Sequence, residues 1–163
     1  MRANTVGKRC SEVERAYIAG FMDADGAIMA CIERHPLKRY GFRVRVVVKI
    51  TQHDREVLDW MRRKLAVGAV RANRPGTIAQ TFDLLIRDQQ HARAVLHITM
   101  PFLRAKRRQA KIAMLILDQK IESSKNLIQI ARLADTLSKF NVRSKNRRKN
   151  FTAKIQEHIS PND

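Results

Sequence analysis

FRVRVVVKITQ, the stretch from Phe42 to Gln52, decides the fold. Arg43, Arg45, Val47 and Lys49 alternate with Val44, Val46, Val48 and Ile50. Successive side chains on a strand point to opposite faces, so this two-residue period predicts a strand with one buried face and one mostly basic face. AIMACIE before it predicts a partner strand, reached through a turn region at His35-Pro36. After it, a helix is expected from Asp54 to about Leu65, with Val57, Leu58, Met61 and Leu65 on one side. GAVRAN and TFDLLIR predict third and fourth strands around a turn at Arg74-Pro75-Gly76, with Phe82, Leu84 and Ile86 inward and Thr81 and Asp83 outward. Two helical segments follow, Gln89 to His97 and about Lys106 to Lys120.

The expected fold class is therefore α+β. The order is α-β-β-α-β-β-α, with helices on one face of the sheet and the other face free. The 163 residues read as one core over 1–122 and a helical, basic C-terminal tail over 123–163, packed on or extending that core. In the tail LIQIARLADTL is helical and RSKNRRKN a basic, loop-like run.

Composition narrows the function. Thirty-three Lys and Arg against 15 Asp and Glu give a net charge of +18, where solubility alone asks for a magnitude of about 2 to 8. The surplus points to a polyanion, of which nucleic acid is the commonest. A membrane role would need an apolar span, an amphipathic anchor or a lipidation site, and none is found. Two cysteines without a CxxC pair build neither a disulfide framework nor a zinc finger. No secretory h-region follows the start, so an intracellular, non-secreted protein is expected. Alternating Arg and Lys suit either a solvated strand that resists edge pairing or a β-ribbon reading the major groove. The net charge tilts the choice toward DNA.

Chemistry concentrates in one segment. Ser11 and Glu14 form a capping-box pattern that opens the helix EVERAYIAGFM, and Gly26 is placed to end it as a C-terminal glycine. Asp23 and Asp25 sit at that end, facing the negative pole of the helix dipole, which favours cations. An Asx-type turn explains the dipeptide, and on the dipeptide alone is favoured. A hard divalent ion also explains it. Ala16, Ala19 and Gly20 place small residues on neighbouring turns, where another backbone can approach closely. If the partner is a second copy of the helix, two copies of Asp25 meet.

Ile18-Ala19-Gly20-Phe21-Met22-Asp23-Ala24-Asp25-Gly26 closely resembles the signature of the LAGLIDADG homing endonucleases, and the resemblance spans roughly residues 11–120. One copy of the motif implies the homodimeric branch, with the motif helices (here Ala16, Ala19, Gly20 and Met22) at the interface. It implies a saddle-shaped antiparallel sheet over the major groove of double-stranded DNA. Asp25 is implied as metal ligand, assisted by the Ala24 carbonyl, with Asp23 a structural or capping acid. Gln52 is implied to organise water near the metal, Lys106 to stabilise phosphate charge, and Arg55 to be a second basic pocket residue. The implied cofactor is Mg²⁺, with Mn²⁺ able to substitute and Ca²⁺ binding without supporting cleavage.

Family positions for DNA contact fall on Cys31, Glu33, His35, Arg43, Arg45 and Lys49, and on the second hairpin near Arg71, Asn73, Arg74, Thr81 and Asp83. Glu33 and Asp83 are suited to cytosine N4, and Arg43, Arg45 and Arg71 to guanine. The resemblance implies a double-strand break with short 3′ overhangs in a long pseudo-palindromic target, by an intron-encoded mobility enzyme. Its place is wherever that DNA resides: chloroplast, mitochondrion or prokaryotic cytoplasm. An intron RNA maturase and a non-cleaving DNA-binding regulator of the same fold are the rival readings.

Overall fold

The first helix is fixed at its start by its own side chains. Ser11 Oγ accepts from the Glu14 amide at 3.3 Å and Glu14 Oε2 accepts from the Ser11 amide at 2.8 Å, closing the capping box. In the computed structural model, which describes residues 5–141 and 149–159, this helix, α1, spans Glu12–Asp25. Gly26 ends it, but not through the left-handed conformation of a C-terminal glycine. Its φ is −85° and ψ 161°, and it is already the first residue of β1 (Gly26–Arg34). Space demands the glycine instead: a Cβ there would lie 2.5 Å from the Met22 carbonyl oxygen and 2.7 Å from Met22 Cα.

β1, β2 (Phe42–Gln52), β3 (Ala69–Asn73) and β4 (Thr81–Ile86) form one antiparallel sheet in the order β1-β2-β4-β3. The expected alternation is imperfect at Val44 and Phe82, which are only partly buried, and at Val47, placed by parity on the basic face yet itself buried at 8% exposed. It holds at Val46, Val48, Ile50, Leu84 and Ile86, which with Ile28 are at most 1% exposed. Each contributes roughly 1.5–3 kcal/mol relative to exposure, and a one-residue slip would turn all of them outward. They pack against α1, α2 (Arg55–Leu65), α3 (Gln89–Thr99) and α4 (Arg107–Asp118). Asp54 caps α2 by accepting from the Glu56 amide, so the helix begins one residue later than the sequence reading placed it.

β4 pairs with β2 only over Val48 to Gln52, so the Phe42–Val46 part of β2 projects with β1 as a two-stranded arm. Gln89 caps the open edge next to the sheet: its Oε1 accepts from the Val46 amide at 2.7 Å and its Nε2 donates to the Val46 carbonyl at 3.1 Å. The arm is supported from behind by α5 (Ser124–Asn141) and α6 (Phe151–Gln156), where Leu127, Ala131 and Ile155 bury Phe42. Ile130, Ala134 and Leu137 of α5 join the main core, and Asn141 Nδ2 donates to the Ile28 carbonyl on the outer edge of β1 at 2.6 Å. The short α6 is an element the sequence reading missed. The basic run read as a loop falls mostly on residues 142–148, outside the described residues.

Candidate active site and nucleic-acid interface

α1 delivers two carboxylates to one end of the sheet, and the fold gives them different work. Asp23 is bound inward. Its Oδ2 accepts from the Arg104 amide at 2.6 Å and its Oδ1 from the Lys106 amide at 2.8 Å, at the approach to α4. Lys106 occupies the α4 N-cap position without a side-chain cap of its own, so Asp23 satisfies backbone donors that α4 would otherwise leave open. The Lys106 ammonium in turn donates to the Asp23 carbonyl at 2.5 Å. A cation at the carboxyl end of α1 offsets the pole that two acids would aggravate.

Asp25 is exposed at the helix end, and the Gln52 amide donates to its Oδ2 at 2.6 Å. Gln52 lies on the same face of β2 as Val48 and Ile50, which aims it toward the helices and the end of α1. The fold therefore brings Asp25 and Gln52 into contact and fixes Lys106 two residues along the same helix end. Met22 O is taken by the Gly26 amide and Asp23 O by Lys106. Ala24, beside Asp25, is exposed. Arg55 is not bonded to this cluster. Its Nε donates to Asp59 at 3.2 Å and its guanidinium lies 5.7 Å from the centroid of Phe82, the register partner of Gln52.

The donors at this end are a carboxylate and a backbone carbonyl, with no thiolate or imidazole bonded to them. That set fits a hard divalent cation such as Mg²⁺ or Ca²⁺. Among the described residues no three His, Cys, Asp or Glu side chains converge. Mg²⁺ is commonly held by one or two carboxylates with waters and substrate oxygens completing its shell, so this sparse donor set is compatible with it.

The face opposite the helices collects the polar alternates. Strand register sets Glu33 against Arg43, Cys31 against Arg45, Asp83 between Thr51 and Arg71, and Asn73 against Thr81. Glu33 pairs with Arg45 at 2.7 Å and with Arg43 at 3.1 Å, and these hydrogen bonds, Arg45's first, hold its carboxyl below the ordinary range. Burial pushes the Cys31 thiol up, and neighbouring Glu33 adds to this. Asp83 accepts from Thr51 Oγ1 at 2.6 Å and pairs with Lys49 at 3.5 Å. Thr51 was missed in the sequence reading, although the Arg43/Arg45/Lys49 parity reaches it. His35 lies at the hairpin turn, its amide donating to Gly41 O at 2.8 Å. Arg74 turns the second hairpin at φ +55°. Arg43, Arg45, Lys49 and Arg71 outnumber the two carboxylates, so the face is net positive.

Two expected interface residues are corrected. Ala19 is 0% and Met22 1% exposed, both in the protomer's own core. The outward stripe of α1 is instead Val13, Tyr17, Gly20 and Ala24, with Ala16 half-buried beside it. Val13 is 79% and Tyr17 51% exposed. Their spacing of four, three and four residues is one helical face, and that spacing was the signal available in the sequence. At Gly20 an added Cβ would meet nothing within 4 Å.

A four-stranded antiparallel sheet, helices on one face and an Asp-Ala-Asp-Gly helix end together define the LAGLIDADG homing-endonuclease fold. No family model matches the chain. The DNA endonuclease I-CreI of Chlamydomonas reinhardtii is 27% identical over 130 residues, covering 77% of each chain. The homing endonuclease I-CvuI, solved with its target in the presence of calcium, superimposes with a TM-score of 0.79 at 25% identity, over 90% of this chain and 92% of that one. The archaeal intron-encoded homing endonuclease I-Vdi141I, complexed with DNA, gives a TM-score of 0.76 at 21% identity, over 90% and 96%. In sequence and fold the chain is thus similar to single-motif LAGLIDADG homing endonucleases.

Proposed function

We propose that this protein is a site-specific DNA endonuclease that acts as a homodimer and hydrolyses one phosphodiester on each strand. The observation that carries the reading is the Gln52–Asp25 contact at 2.6 Å, set at the edge of a net-positive sheet face. A divalent cation held by Asp25 and the Ala24 carbonyl would stabilise charge at the scissile phosphate and ease deprotonation of the attacking water. The chain's own groups do the rest. Gln52 orients the Asp25 carboxylate. Lys106, anchored at the Asp23 carbonyl, is the cation available to a phosphate oxygen. Water oxygen bonds to phosphorus, the phosphorus–O3′ bond breaks, the water proton passes to solvent and the 3′ oxygen takes up a proton.

Dimerisation follows from the outward α1 stripe. A mid-helix glycine costs about 1 kcal/mol against alanine, and nothing within the protomer requires Gly20 to lack a side chain. Close approach of a second α1 explains it and brings two Asp25 residues to one axis. The two-fold axis gives a pseudo-palindromic target read by both sheets in the major groove, and two sites that cut across the minor groove leave 3′ overhangs. An intron RNA maturase would need neither Gln52 nor Lys106 in place, and a regulator would need no cation site. No described helix is long and apolar enough to cross a membrane.

The test is to incubate the protein with a pool of randomised duplex DNA and Mg²⁺ and to sequence the ends produced. Discrete paired breaks at one pseudo-palindromic sequence are expected. Selective binding with no breaks would favour the regulator, and no selective binding to duplex would favour RNA.

A further inference from the structure

Glu33 is not free to read a base. Its Oε2 accepts from Arg43 Nη2 at 3.1 Å and from Arg45 Nη2 at 2.7 Å, and its Oε1 accepts from Arg45 Nη2 at 2.7 Å. Two cations hold it ionised, and both carboxylate oxygens are engaged. The arginines, in contrast, keep donors to spare. A guanidinium offers five N–H groups in a fixed plane, and only the Nη2 of each is used. The Nε atoms of both are buried and without partners among the described residues. The terminal Nη1/Nη2 ends are therefore what the face presents, and their side chains remain 38% and 30% exposed.

We infer that Arg43, Glu33 and Arg45 form a preassembled unit that reads two guanines, with Glu33 the positioning residue that aims both arginines. The inference rests on the reading of this sheet face as the DNA-reading surface. A paired terminal fork matches guanine O6 and N7. Arginine freezes several torsions on binding, and a partner that holds it beforehand removes much of that cost. The scaffold beneath is held as well, because Phe42, adjacent to Arg43, is buried by α5 and α6. The carboxylate would repel phosphate if bare, but between two cations the triad keeps a net positive charge.

Geometry sets the spacing. Arg43 and Arg45 are two residues apart on one strand, about 6.6–6.8 Å, or about two steps of a duplex rising 3.4 Å per base pair. The guanines accordingly lie about two base pairs apart, in the outer part of each half-site, beyond the bases that face Lys49 and Asp83.

The test is selection of bound sequences from randomised duplex with Ca²⁺ present, for wild type, Arg43→Lys, Arg45→Lys and Glu33→Gln. Wild type should select the guanine pair in both outer arms. Each lysine variant should lose one guanine while keeping the salt dependence, because the phosphate charge count is unchanged. Replacing either guanine should weaken wild-type binding roughly 5- to 150-fold. Glu33→Gln should flatten the preference at both positions, and because it raises the triad's net charge from +1 to +2 it should bind unselected duplex more tightly with a salt slope at least as steep, with thermal melting verifying that it is folded. A selected site without the guanine pair, guanine preference untouched in Glu33→Gln, or a cytosine lost with Glu33 would each overturn the inference and leave the endonuclease reading standing. Absence of any selected sequence overturns both.

Discussion

Gln52 and Asp25 meet where β2 and α1 end, the amide donating to Asp25 Oδ2 at 2.6 Å. Strand parity aims Gln52 and helix length places Asp25, so a contact across 27 residues of sequence is fixed by backbone geometry alone. A group that orients a metal ligand is commonly worth 10- to 100-fold in activity. Gln52→Ala should slow single-turnover cleavage by about that factor and leave DNA affinity within about twofold. An unchanged cleavage rate would remove Gln52 from the pocket.

The seam between helix and strand depends on Gly26. A Cβ there meets Met22 backbone at 2.5 Å, and backbone cannot swing aside as a side-chain tip can. Gly26→Ala should cost about 1–3 kcal/mol in urea unfolding, the usual range for overpacking. A neutral result would mean that the seam relaxes freely.

Gly20 separates a monomer account from a dimer account. Wild type should sediment as a dimer. Gly20→Arg, whose side chain projects into open space in the protomer, should sediment as a folded monomer that no longer makes double-strand breaks. A Gly20→Arg dimer with full activity would move the interface off α1.

Acid should loosen the arm through Glu33. Its carboxyl is held below the ordinary value of 4.5 by hydrogen bonds from Arg45 and Arg43. A lowered folded value means that the contribution is complete above about pH 5 and is lost as pH falls through that lowered value. The pair is partly exposed, so the amount is about 0.2–1 kcal/mol. The stability gap between wild type and Glu33→Gln should be present at pH 7 and shrink as pH falls through that lowered value. A gap that stays constant over that range would contradict the pairing.

Much of this was legible from sequence because it follows from periodicity. The Arg43/Val44 alternation gave the central strand, its inward face and its basic face, and the Asp23–Asp25 segment gave the helix end. What was not legible depends on which way a helix is turned. Ala19 is small enough to suit an interface, yet its side of α1 lies over the protomer's own sheet, while Val13 and Tyr17 face out. The resemblance implied Arg55 as the second basic pocket residue, but Asp59 one turn along holds it. Glu33 is suited to cytosine until its register partner Arg43 and diagonal neighbour Arg45 are seen to occupy it. Such contacts span hairpins and elements, and local pattern does not carry them.

The most direct measurement compares wild type and Asp25→Asn on one selected target in Mg²⁺, with binding and cleavage read from the same samples. Asparagine keeps an oxygen that can accept from Gln52 and removes the charge that would hold a cation. Both proteins should bind the target, and only wild type should cut it on both strands. Cleavage by Asp25→Asn at the wild-type rate, or no cleavage by either protein at a site both bind, would contradict the endonuclease account.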